Sequence, residues 1–398
     1  MPLRLVIILA MAAALGPFAL DTYLPAFPSI ATSLNTGIDH IGLSVSVYIF
    51  GLAFGQLIGG PLSDRWGRAK IMLTGLIIFS IASLMLAFSH NLNELIVWRI
   101  IQALGGGWSG VSIAAIVRDR TDGQEAAKLF SMITLIMIIA PALAPTIGST
   151  ILTLGSWREI FIFLTVYSLL VLILLRIYIF TASASAQQTR VAKLSFFPAY
   201  KTVLKNNVAI YLIMLQGFSF SVMYVFLTNA SFIYQQWFGV AKFTFAFLFA
   251  CNIAMMALLG IINRILLRKL SPVLLLSLVV LLQMLAVLIL VIIGFFHSHE
   301  LGFFVPALMV AVGTIGVISP NNQACYLQAF KHNSGTAAAL MGAFQLAIAG
   351  GMSALSAFMG NGTLRPIVLV MGLCSVLSIL SLGRALTIIR NDRSKKTY

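Results

Sequence analysis

Asp21 stands in "GPFALDTYLPAF", residues 16–27, a run that is otherwise almost wholly apolar and carries Pro17 and Pro25, with Pro28 just beyond. A carboxylate inside a lipid-embedded helix costs on the order of 2.5–3.5 kcal/mol on insertion scales, so such groups face a cavity or a partner. Low dielectric favours the protonated form of a carboxyl group. A group that gains a proton on one side of a membrane and loses it on the other is a proton carrier. Arg99 is the second charged residue that falls near or within an apolar run, and Gln102 lies one helical turn further on, within reach of the same network. An arginine is always charged, and beside Asp21 it would favour the ionised acid. Two readings stay open for Asp21: a proton carrier coupled to Arg99, or a structural acid paired permanently with it. Arg99 itself could instead snorkel to the outer headgroups.

The elements that position these residues follow from composition. The chain has 398 residues, of which 60% are hydrophobic and 9% charged, and its mean hydropathy is +1.02. Soluble proteins are about 25% charged, so this chain needs lipid as solvent. Apolar runs long enough to cross a ~30 Å hydrocarbon core as helices cover residues 6–30, 41–60, 71–88, 92–117, 129–154, 161–180, 208–234, 243–267, 273–296, 303–327, 335–359 and 364–388. The first is too long and uninterrupted for a cleaved signal peptide. The longest polar interruption, 181–207, divides the chain into an N-terminal six-helix bundle (1–180), a linker, and a C-terminal six-helix bundle (208–398) with a short basic tail. The expected fold is an all-α integral membrane protein with twelve transmembrane helices in two pseudo-symmetric six-helix bundles. "GGPLSDRWGRAK" after the second span and "GIINRILLRKL" after the eighth occupy matching places in the two halves, as a parallel repeat requires.

Charge sets the orientation. Of the 25 Lys and Arg residues, all but Arg99, Arg158, Lys242 and Arg365 lie on the side of the N-terminus. By the positive-inside rule that side is cytoplasmic, and so are both termini. The net charge of +15 then meets anionic lipid headgroups and needs no nucleic acid.

Further polar and conformational candidates lie along the spans. Gly51, Gly55 and Gly59, with Gly106 and Gly110, have the spacing of a close helix seam. Pro141 and Pro145, with Gly148, predict a bent fifth span. Gln216, Phe220 and Tyr224 step at i, i+4, i+8, and Phe245, Phe249 and Asn252 share the eighth span. Asn321, Asn322 and Gln323 cluster in the tenth span, and Phe344 and Gln345 sit in the eleventh. A wall of aromatics with a few amides suits large apolar ligands. The candidate substrate-binding set is Asp21, Tyr23, Tyr48, Gln102, Gln216, Phe220, Tyr224, Asn252, Phe344 and Gln345. Cys251, Cys325 and Cys374 fall in separate apolar runs and read as packing groups. His297 and His299 beside Glu300 read as solvated loop residues rather than a metal site. No HExxH, nucleophile elbow or phosphate loop appears. The chain therefore reads as a non-enzyme that needs no cofactor and no ATP.

"GPLSDRWGRAK", residues 60–70, resembles the loop 2–3 signature of the major facilitator superfamily in Gly60, Asp64, Arg65, Gly67 and Arg68. "RIIQALGGG", residues 99–107, resembles its fourth-helix motif. "APALAPTIGS", residues 140–149, is similar to a degenerate fifth-helix antiporter motif, with Ala140 and Ala144 where glycines are usual. "LDTYLPAFP" at 20–28 with "VRD" at 117–119 resembles the Bcr/CflA branch of drug/proton antiporters. The resemblance implies export of drug-like molecules from the bacterial inner membrane, driven by proton entry, by a protein whose partners are substrate, protons and lipid, and which works as a monomer. In the short turn after the second span Asp64 can cap the helix after it or pair with Arg118 or Arg120 at the end of the fourth span, and a cluster of Gly60, Asp64, Arg65, Gly67 and Arg68 with Arg118 would latch the cytoplasmic side. The related pattern of the multidrug transporter MdfA has a second acid about two turns before Asp21, where this chain has Ala13. A proton-coupled symporter or metabolite exporter on the same fold is the alternative.

Overall fold

Hydrocarbon offers no hydrogen-bond partners, so a chain that crosses it must satisfy its backbone internally. The computed structural model describes residues 3–120, 123–180, 203–296, 300–328, 330 and 334–394, and every regular element among them is helical. Twelve helical segments are long and apolar enough to cross a membrane. The first is composite: α1 (Leu3–Asp21), a 3₁₀ turn (Leu24–Ala26) and α2 (Phe27–Ser33). Then follow α3 (Ile38–Trp66), α4 (Arg68–Ala87), α5 (Leu92–Arg120), α6 (Gly123–Leu154) and α7 (Trp157–Leu174). Next come α8 (Asn207–Ser231), α9 (Lys242–Leu266) and α10 (Pro272–Phe296). The tenth span, read from sequence as one helix, is two, α11 (Leu301–Gly313) and α12 (Ile315–Leu327), which meet at Thr314. The Thr314 hydroxyl donates to the Ala311 carbonyl at 2.7 Å, a local bond that competes with the helical ladder. The last two spans are α13 (Ser334–Phe358) and α14 (Arg365–Ser394). Short π-helical turns, Leu175–Ile179 and Phe232–Trp237, extend α7 and α8.

The chain forms two compact units. One contains Met1–Lys193 with Val240–Ala250, the other Leu194–Gly239 with Cys251–Tyr398. In the first, α5 packs along α3 and α4 where side chains are absent. A Cβ on Gly107 would sit 2.8 Å from the Gly55 backbone, and one on Gly105 would sit 2.7 Å from the Phe79 nitrogen. The seam runs through Gly105 and Gly107, with Gly106 close to the Tyr48 hydroxyl, whereas Gly110 has open space around it. In the second unit, Leu212, Leu215, Leu276, Val280, Ile318, Tyr326, Leu340 and Met341 form a buried core. Around it α10 exposes Leu274, Leu278, Leu281, Leu285, Leu288 and Ile292. Apolar faces this long are rare on water-soluble monomers and suit a helix solvated by lipid.

Candidate functional site

The prolines around Asp21 explain why an acid can sit there. α1 ends at Asp21, and Pro25, which has no N–H to offer, opens the next turn. The last carbonyls of a helix need partners from elsewhere. Phe18 O accepts from Thr22 N at 3.2 Å. Ala19 O accepts from Arg99 Nη1 at 3.0 Å. A cation at a helix C-terminus also complements the helix dipole, so Arg99 caps α1 across the bundle.

Arg99 is fully buried, which removes the snorkelling alternative. Its Nη1 also donates to Gln102 Oε1 at 2.6 Å, as the one-turn spacing led us to expect. Gln102 Nε2 donates to Ser83 Oγ at 2.8 Å, and Ser83 Oγ to Phe79 O at 2.7 Å. The guanidinium carbon lies 4.3 Å from the Tyr23 ring centroid and 4.4 Å from that of Tyr48. Desolvated cation–π contacts are worth about 2 kcal/mol, so two rings offset part of the cost of burying the charge. Tyr23 is held in place by a 2.9 Å bond to Ser44 Oγ. Both tyrosines are fully buried.

Asp21 is 4% exposed and its Oδ1 is buried without a donor. Nε and Nη2 of Arg99 are likewise buried without an acceptor. Among the described residues no ion pair joins the acid to the arginine. The sequence left open a permanent pair; here the arginine's partners are a carbonyl, an amide and two rings. α6 approaches this point through Gly148, where a Cβ would overlap the carbonyl oxygen of Thr22. Pro141 and Pro145 both lie inside the uninterrupted α6.

The loop of Asp64 is built around Gly67, whose φ of 97° lies in a region L side chains rarely adopt. Gly67 ends α3 and starts α4 with no intervening residue. This sharp corner lets Asp64 pair with Arg68 across it, and Arg68 also donates to Ser63 Oγ at 3.3 Å. Gly60 makes no close backbone approach: the nearest atom to a Cβ there is in Val111, at 3.9 Å. Arg65 is exposed. The side chain of Arg118, expected in the latch, lies outside the described residues, as do His297 and His299.

In the second unit the structure joins Gln216 and Gln345, whose Nε2 and Oε1 are 3.2 Å apart. Gln216 Nε2 also reaches Ser319 Oγ at 3.2 Å, and Asn322 Nδ2 donates to Gln216 Oε1 at 2.8 Å. Asn322 Oδ1 stays buried without a donor. Asn252 belongs to a different group: its Nδ2 donates to Tyr234 OH at 3.3 Å. Phe220 and Tyr224 contact each other with centroids 6.4 Å apart. Phe344 is exposed. Gln283 escaped the sequence reading. It is fully buried and bridges the Ser219 and Ala311 carbonyls at 3.4 and 3.3 Å. A lone amide in a leucine-rich run was the available signal.

Twelve apolar spans that bury an acid, an arginine and linked amides make this a multi-pass membrane protein. The chain belongs to the Major Facilitator Superfamily, whose family profile matches residues 9–354. It is similar to the bicyclomycin resistance protein homolog of Haemophilus influenzae, 29% identical over 380 residues and covering 94% of each chain. It is also similar to the multidrug resistance protein MdtL of Escherichia coli, 26% identical over 367 residues, or 92% of this chain and 91% of that one. The crystal structure of a D-xylose-proton symporter superposes with a TM-score of 0.77 at 15% identity, covering 96% of this chain and 97% of that one. This likeness establishes the superfamily's fold.

Proposed function

We propose that this transporter is a proton-coupled antiporter that exports drug-like small molecules across the bacterial inner membrane by alternating access. It works as a monomer with no cofactor, draws on the proton gradient, and keeps both termini and residues 181–207 on the cytoplasmic side. The observation that supports this most is the buried, donor-free Oδ1 of Asp21 at the end of α1. A bare carboxyl oxygen out of water is a place to hold a proton. Arg99 has no counter-ion in this state, so approach of the arginine to Asp21 in another state would favour proton release. The names of the bicyclomycin- and multidrug-resistance relatives favour drug-like cargo. Gln216, Gln345 and the aromatics of the second unit supply its hydrogen bonds and apolar contact.

The test is transport in proteoliposomes with an imposed pH gradient across a panel of neutral and charged antibiotics. Proton release on ligand addition in detergent is measured alongside. Asp21→Asn should bind ligand, release no proton and fail to concentrate it. Release equal to that of the unmodified protein would remove Asp21 from the mechanism.

A further inference from the structure

Below the α3–α4 corner lies a cleft of about 320 Å³, lined by Trp66, Lys70, Ile71, Thr74 and Trp108. We propose that it seats the headgroup of an anionic phospholipid, with Lys70 meeting the phosphate. The inference is independent of cargo and of transport direction.

Four observations carry it. First, the charge has no counter-ion among the described residues. The one acid between residues 60 and 70 is Asp64, which is paired with Arg68. Lys70 is exposed, and among the described residues it makes no ion pair. Second, the lining suits a headgroup at an interface. Indole rings prefer the level of the headgroups, and the exposed Thr74 offers a hydroxyl one turn from Lys70. Third, the cleft continues into an apolar track. Lys70, Thr74, Ile77, Ile81 and Leu84 recur along one face of α4, with Phe88 just past its end, and all are exposed. Cation and hydroxyl stand at one end and hydrocarbon side chains occupy the rest, which is the polarity of a phospholipid laid along the helix. Fourth, the cleft is built. Trp108 sits where α3 and α4 lack side chains: a Cβ on Gly59 would lie 2.9 Å from its ring, and one on Gly75 would lie 2.9 Å from its Cβ. Basic pockets between membrane helices bind anionic headgroups, at about fivefold in affinity for each basic residue near the surface.

The experiment is native mass spectrometry of the full-length protein in detergent, where leaflet and orientation have no meaning. The delipidated protein is titrated with phosphatidylglycerol and with phosphatidylcholine of identical acyl chains. The unmodified protein should retain one phosphatidylglycerol about fivefold more tightly. Lys70→Gln should abolish that preference, Lys70→Arg should keep it, and Lys269→Gln, in the other unit, should leave it intact. Lys70 is exposed, so loss of fold does not confound the result. Millimolar inorganic phosphate should not displace the lipid. Equal retention of both lipids by the unmodified protein, an unchanged preference in Lys70→Gln, or displacement by phosphate alone would each overturn the assignment.

Discussion

At the residue scale the buried arginine is held by several partners at once. Its planar fork serves a carbonyl and an amide through Nη1 while its face meets two tyrosine rings. A lysine carries the charge and has donors for both acceptors, but it lacks the plane that meets the two rings. Arg99→Lys should therefore lower transport by at least about tenfold, the equivalent of roughly 1.4 kcal/mol, although it keeps the charge; initial rates in proteoliposomes measure this. Tyr48→Ala empties a fully buried site beside the guanidinium. Large aromatic truncations cost about 3–5 kcal/mol, so its thermal unfolding in detergent should fall well below that of Tyr48→Phe, which keeps the ring. Equal unfolding temperatures for the two variants would contradict the cation–π reading. The bond from Arg99 to Gln102 was legible in the sequence, because three residues bring side chains together on any helix. The separation of Asp21 from Arg99 was not. It depends on where α1 stops and on the Ala19 carbonyl that the stop leaves open, and neither is a property of side-chain types.

At the element scale the informative positions are those where a side chain is forbidden. Gly67→Ala forces an L residue to φ 97°, at a cost of about 1–3 kcal/mol, and should lower the unfolding temperature and loosen the α3–α4 corner. Asp64→Ala removes the partner of Arg68 in that corner. It should slow turnover and shift the balance of inward and outward states, with ligand affinity changed only modestly. Labelling of single cysteines placed on each side reports the shift, and unaltered labelling with lost affinity would refute the latch. Apolar run length located every span, because that length is fixed by membrane thickness. Four-residue spacing put the seam of α5 on Gly106 and Gly110; Gly106 does meet Tyr48, whose hydroxyl would lie 3.2 Å from a Cβ there, but the closest backbone approaches fall at Gly105 and Gly107, and Gly110 has open space. Four-residue spacing identifies a face, but the rotation of that face against its neighbour is set by packing. The break of the tenth span at Thr314 was hidden for a similar reason: one hydroxyl in an apolar run leaves no mark on hydropathy.

At the scale of the whole molecule, charge balance constrains what can be carried. Asp21 and Arg99 are the charged residues identified as buried in the span interior. With Asp21 protonated the pair is positive, and with Asp21 ionised it is neutral; neither state offers surplus negative charge. Desolvating an uncompensated cation costs several kcal/mol. Neutral and zwitterionic compounds of the amphenicol kind should therefore be exported better than permanent dications. A resistance profile in a host stripped of its own pumps reads this directly, and strong resistance to dications alone would reverse it. The contact of Gly148 with Thr22 bears on how such a profile evolves. It is backbone against backbone, so exchange of the side chains around it leaves those atoms in place, whereas any residue larger than glycine at 148 would push against Thr22. If Asp21 carries the proton as proposed, exchange of the aromatics and amides of the second unit should broaden or narrow the range of compounds while the backbone that seats the acid stays where it is.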